Sequence, residues 1–172
     1  LEQGALEINF IAQDSSRYGL DRKDGSTLAE LLRRCDAIPG DFWLRVLYTH
    51  PKHFTDDLLE VFAAARHLVP YIDMPLQHIS DGILRAMGRG MGEEATRALL
   101  ARLRARLPKA VLRTTFLVGY PGETEADFAK LLPFTGDNPE LCQNLISGAQ
   151  EYIEALREME VERRRIREEN EE

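Results

Sequence analysis

The sequence predicts an α/β fold: a parallel array or partial (βα) barrel of about four strands with outer helices, then a long C-terminal amphipathic helix. Two observations carry this. Four times an apolar run ends in a small polar cluster and gives way to a helical pattern: Ala5 to Asp14, Phe42 to Pro51, Val69 to His78 and Val111 to Thr124. Parallel neighbours need a long crossover, so such alternation favours parallel pairing. After Phe134 the alternation stops and no fifth strand follows, which divides the chain into 1–134 and a helical tail, 135–172. In parallel folds the chemistry gathers where strands end, so the four clusters mark the candidate edge.

The first strand, Ala5 to Ala12, carries Ile8, Phe10 and Ile11 and enters Gln13-Asp14-Ser15-Ser16 and a polar loop. Ser26 or Thr27 can cap the next helix, with Glu30 spaced to complete a capping box from Thr27 and with Leu28, Leu31, Leu32 and Cys35 on one face. Pro39-Gly40 ends that helix. The second strand, Phe42 to Thr49, stops at His50-Pro51, and Thr55 caps a helix with a stripe of Leu58, Leu59, Phe62 and Ala63. The third, Val69 to Met74, meets Pro75, which has no ladder donor.

Ser80 and Asp81 open a helix with Ile83, Leu84 and Met87 inward; Gly88 to Gly92 breaks it from a second helix, Glu93 to Leu107. The fourth strand, Ala110 to Val118, enters Gly119-Tyr120-Pro121-Gly122, and Glu123 to Leu132 is helical again. Thr135 to Pro139 is a breaker cluster. From Glu140, Leu141, Leu145, Ile146, Ala149, Tyr152, Ile153, Leu156 and Met159 recur at helical spacing.

With 44% hydrophobic and 30% charged residues the composition is globular. Of the net charge of −7, residues 151–172 supply −4 (nine Glu against five Arg), so the rest is nearly balanced and no broad basic face for nucleic acid is indicated. No apolar run reaches the roughly 18 residues of a membrane span. Two cysteines, Cys35 and Cys142, are too few for a disulfide scaffold and fit a reducing cytoplasm. An opening Leu1-Glu2-Gln3-Gly4 directly before a strand reads as cut from something longer.

Each cluster has a functional and a plain reading. Gln13-Asp14 could hold an amine or hydroxyl, or Asp14 could cap a turn. Thr49-His50-Pro51 could present an imidazole, or be surface. Gln77-His78 could be polar readout, or the turn could serve only the caps that follow it. Arg113 and Thr115 share one face of the fourth strand, and an Arg in so apolar a run needs a partner or a site. Gly119, Gly122 and Glu123 offer close backbone approach beside a helix N-terminus, against which Glu123 could equally play a structural part.

Together the series AQDSSRYG (Ala12 to Gly19), LYTHP (Leu47 to Pro51), DMPLQHISD (Asp73 to Asp81) and RTTFLVGYPGET (Arg113 to Thr124) resembles the radical S-adenosylmethionine methylthiotransferases. Within them it looks like the RimO-like branch, which methylthiolates an aspartate of a small-subunit ribosomal protein. The similar MiaB-like branch, which modifies tRNA, reads Gln-Asn at Gln13-Asp14 and Gln-Ser-Gly-Ser at Gln77 to Ser80.

The resemblance covers Leu1 to about Leu132. It implies 4Fe-4S clusters, S-adenosylmethionine and a radical that abstracts hydrogen from an unreactive carbon, in a mouth closed to water. By position it implies that Gln13, Asp14, Thr49, His50, Gln77, His78, Arg113, Thr115, Gly119 and Glu123 line the cofactor pocket. The family's three cluster cysteines would precede Leu1, and neither Cys35 nor Cys142 substitutes for them, so iron–sulfur binding by this chain alone is not expected. A different class of reading, a non-catalytic module self-associating through the tail helix, is kept beside it.

Overall fold

The computed structural model describes residues 1–138; the tail helix expected from Glu140, and Cys142, lie outside the described residues. Four short strands, β1 (Glu7–Phe10), β2 (Trp43–Val46), β3 (Tyr71–Asp73) and β4 (Val111–Arg113), alternate with helices α1 (Leu28–Asp36), α2 (Asp56–Ala64), α3 (Asp81–Ala86), α4 (Glu93–Arg106), α5 (Glu125–Ala129) and α6 (Leu131–Gly136). β1 pairs in parallel with β2, with Ile8 opposite Leu44, and β3 with β4, with Ile72 opposite Leu112. A parallel bridge from Leu44 to Leu68, with Leu44 N–H donating to His67 O and Val69 N–H to Leu44 O, joins the pairs in the order β1-β2-β3-β4. All four strands therefore end on one edge.

The strands are shorter than the apolar runs, for local reasons. β2 stops where Tyr48 adopts φ +57°. Past β3, the Leu76 N–H donates to the Thr114 hydroxyl at 3.0 Å in place of a carbonyl, which interrupts the ladder before it resumes at Gln77 and Phe116. Ile11, counted with the first strand, is exposed.

The helices start as their caps dictate. Thr27 Oγ1 accepts Glu30 N–H and Thr55 Oγ1 accepts Leu58 N–H. The reciprocal capping box, expected at Thr27, forms at Thr124 and Asp127. The breaker cluster begins later than its composition suggests: Thr135 and Gly136 complete α6, because Phe134 is fully buried and anchors that turn. Leu28, Leu32, Leu58, Phe62, Leu99 and Leu103 cover one side of the sheet's Leu44, Val46, Ile72 and Leu112 in a single core. Among the described residues no helix is long and apolar enough to cross a membrane.

Candidate functional site

The tips of the four strands are tied to one another in order. From β1 to β2, Ser15 N–H donates to Tyr48 O (2.9 Å) and the Ser15 hydroxyl to Leu47 O (2.6 Å). Asp14 caps the turn that follows: it accepts the Ser16 N–H (3.1 Å) and hydroxyl on one oxygen, and meets His53 Nδ1 at 2.8 Å with the other. His50 N–H donates to Ser16 Oγ at 3.0 Å. Asp14 and His50, far apart in sequence, thus share one polar cluster that also holds Ser16 and His53.

From β2 to β3, Thr49 uses both its N–H and its hydroxyl on Asp73 O, each at 2.8 Å. From β3 to β4, Asp73 and Arg113 are partners in register and form an ion pair at 2.9 Å, with Asp73 almost wholly buried and also accepting Tyr48 N–H. The Asp73 charge holds the Arg113 guanidinium above its ordinary pKa. The partner that an Arg in an apolar strand requires is therefore Asp73.

Farther along, Gln77, at φ +73°, donates its N–H to Thr115 O and accepts Leu117 N–H. His78 is fully buried: Nδ1 accepts Ser80 N–H at 2.9 Å, so Nε2 carries the proton and faces Glu123 Oε1 at 3.3 Å. Glu123 does not sit against the helix end as its spacing suggests. Its other oxygen accepts Tyr120 N–H at 3.0 Å and closes the glycine turn, while the first turn of the five-residue α5 is occupied by Thr124 and Asp127. Gly119 and Gly122 have φ of +77° and +88° with open space where a Cβ would stand, so the backbone rather than crowding requires glycine there. Gln13, Thr115 and Gly119 are exposed at the same edge, Thr115 joining the tip-to-tip bonds through its carbonyl.

Two ionisable groups are displaced from ordinary behaviour. Burial, helped by the nearby Arg89 charge, pulls the His50 imidazole down to about 4, so the ring is neutral near pH 7. Burial alone would raise Asp14, but its hydrogen bonds from Ser16 and His53 outweigh this and hold it below the usual carboxylate range.

Ligand atoms of Asp14, His50 and His53 lie within 4.8 Å of one another, close enough to consider a metal ion. The chemistry disfavours it. His53 Nδ1 and Asp14 are bonded to each other, His50 Nδ1 accepts Lys52 N–H, and a second cation would face the Arg89 guanidinium whose field already reaches this ring. Nor does a 4Fe-4S cluster fit: Cys35 is the only cysteine among the described residues, it packs against the core from α1, and burial pushes its thiol up. S-adenosylmethionine fits better, since Gln77 Oε1 and Arg89 Nε are buried without partners and the Gly119 to Gly122 backbone stands open.

Sequence reasoning passed over Ser16, His53, Asp73 and Arg89. Two signals were there to be read. Asp73 is an acid in an apolar run just as Arg113 is a base in another, and His50 and His53 flank a Pro-initiated turn.

The model of the radical SAM superfamily matches residues 15–135. A protein named ribosomal protein uS12 methylthiotransferase RimO from Syntrophotalea carbinolica is 49% identical over 131 residues, covering 76% of this chain and 29% of the relative. Proteins of the same name from Thermotoga petrophila (44%, covering 78% of the chain and 31% of the relative) and Opitutus terrae (43%, covering 80% and 32%) are similar as well. The chain thus spans about three tenths of the length of these curated relatives. Four strand-end motifs on one edge, with these matches across them, identify the chain as a member of the radical SAM superfamily and its sequence as RimO-like.

Proposed function

We propose that the chain is part of a radical S-adenosylmethionine methylthiotransferase that adds a methylthio group to an aspartate of the small-subunit ribosomal protein uS12. The observation that supports this most directly is the ordered linkage of Asp14, His50, Asp73 and Arg113 along one edge of four parallel strands, in the segments where the RimO-like resemblance lies. Bound there, S-adenosylmethionine would supply the radical and methyl chemistry of the family.

The chain's own residues would position it. Gln77 offers an unmatched buried acceptor for an amine or adenine N–H, and the Gly119 to Gly122 turn lets a ligand approach the backbone. The pairs Asp73–Arg113 and His78–Glu123 hold the edge in shape, while the neutral His50 adds no charge to the mouth. Gln13 and Thr115 would line its rim. In this reading residues 1–134 form part of a barrel completed by further strands, the tail from 135 covers an open side or mediates self-association, and the protein works in the cytoplasm.

The names of the relatives favour the ribosomal substrate over tRNA. The test uses the full-length parent, reconstituted anaerobically and offered uS12 and tRNA separately. A methylthio group on the uS12 aspartate by mass spectrometry is the expected result; modification of tRNA alone, or of neither, would refute the assignment.

A further inference from the structure

Among the described residues two that are not glycine have a left-handed backbone, Tyr48 at φ +57° and Gln77 at φ +73°, and both stand at the edge where the strands end. Gln77 already has a part in the proposed pocket. Tyr48 has none, although an L side chain crowds its own backbone in this region and persists there only where the surroundings hold it.

The alternation along β2 shows what the turn does. Phe42, Leu44 and Val46 are buried in the core at every second position, so a strand that ran on would carry Tyr48 in after them. The left-handed turn reverses the order: Thr49 takes the buried place at 2% exposure, and Tyr48 is turned out at 44%. The fold thus forgoes burial of a large aromatic side chain and accepts an unfavourable backbone to hold it at the edge.

The backbone of Tyr48 is fixed from both neighbouring strands. Its N–H donates to Oδ2 of the buried Asp73, the last residue of β3, at 3.2 Å, and its carbonyl accepts Ser15 N–H at 2.9 Å from the tip of β1. The other Asp73 oxygen holds Arg113 at 2.9 Å, and the Tyr48 hydroxyl lies within electrostatic reach of that guanidinium. One buried carboxylate therefore sets the place of the tyrosine in the middle of the edge.

We propose that Tyr48 is a specificity residue that contacts the acceptor polypeptide, its ring packing on the main chain beside the aspartate that is modified. The identity of the acceptor rests on the function proposed above; the presentation of the ring does not. A rigidly held tyrosine offers a broad contact area at little cost in side-chain entropy, which suits a peptide. An aromatic ring can also stack on a base, but a nucleic acid brings phosphates that call for cations, and the guanidinium beside Tyr48 is already paired with Asp73.

The full-length parent, reconstituted anaerobically, is assayed for methylthio transfer to uS12 and, without uS12, for cleavage of S-adenosylmethionine to 5′-deoxyadenosine. Tyr48→Gly removes the ring and suits the left-handed backbone, so its unfolding midpoint is expected within about 3 °C of the unmutated protein. Cleavage without uS12 should be unchanged and the KM for uS12 raised about tenfold. Tyr48→Phe keeps the ring and should hold the KM within about threefold of the original.

An unchanged KM for uS12 in Tyr48→Gly overturns the proposal. So does a loss in Tyr48→Phe as large as in Tyr48→Gly, or a fall in cleavage without uS12 that matches the fall in transfer, which would make Tyr48 a support of the cofactor or the fold. Transfer to tRNA with a KM raised by Tyr48→Gly would make the ring a base-stacking group and overturn the polypeptide contact. A parent that transfers nothing to uS12 fails the function itself and this contact with it, whereas normal transfer to uS12 by Tyr48→Gly at an unchanged KM removes the role of Tyr48 alone.

Discussion

Between the ends of β3 and β4 the buried polar groups, Asp73 and His78, are each closed on partners: Asp73 on the half-exposed Arg113 and on Tyr48, and His78 on Glu123 and Ser80. Between the ends of β1 and β2 the equivalent groups, Asp14, His50 and His53, are each partly exposed and lie near Arg89, whose Nε has no acceptor. The difference teaches which residues shape the edge and which are left to meet a ligand. A buried group whose partners already satisfy it has little to offer a visitor, whereas a partly exposed cluster with an unmatched donor does.

The contrast can be broken most forcefully at His78. His78→Ala would leave Oε1 of the buried Glu123 carboxylate and the Ser80 N–H without a partner and open a cavity, and a loss of about 3 kcal/mol of unfolding free energy is expected in urea titrations. A loss below about 1 kcal/mol would mean that the β3–β4 side is not the rigid one.

His50 sharpens the other side. Its folded pKa of about 4 lies below its ordinary 6.5, so between those values the unfolded chain binds more protons, and stability that is complete above pH 6.5 falls as the pH drops towards 4. Because the ring is partly exposed and its charges are screened by solvent, about 1–2 kcal/mol is expected across this window. His50→Gln should flatten the slope of the unfolding midpoint against pH there; the Asp14 contribution is lost only at lower pH, below its ordinary 3.8, as its folded pKa is passed. An unchanged slope would detach His50 from the cluster. The smallest effect belongs to the cap that sets Arg89. Gly88→Ala forces a side chain into φ +69° with nothing nearby to clash, so a loss of about 1 kcal/mol in thermal unfolding is expected.

Much of this was legible in the residues. Thr27 and Thr55 announce their helices, Pro75 ends its strand, and Leu99, Leu100 and Leu103 mark the buried face of α4 by spacing alone. What periodicity could not supply was register. That Asp73 stands opposite Arg113 depends on which residues of two strands far apart in the chain align, and a shift of one residue would send them to opposite faces. For the same reason the ladder's interruption by Thr114 was hidden, since a hydroxyl that replaces a carbonyl as acceptor looks like any strand threonine. Glu123 was misplaced by two residues' worth of turn, which the Thr124 cap decides. Arg89 escaped notice because a glycine-flanked arginine reads as loop until the helix end behind it is seen.

The two strand pairs meet along a narrow join, the Leu44–Leu68 bridge at one end and the doubled bond of Thr49 to Asp73 O at the other. A single threonine hydroxyl therefore helps set the spacing between the half that holds its shape and the half that receives. Were the mouth to widen for a bulky polypeptide, shear along this line would cost fewer ladder bonds than separation anywhere within either pair, making Thr49 the latch of the seam.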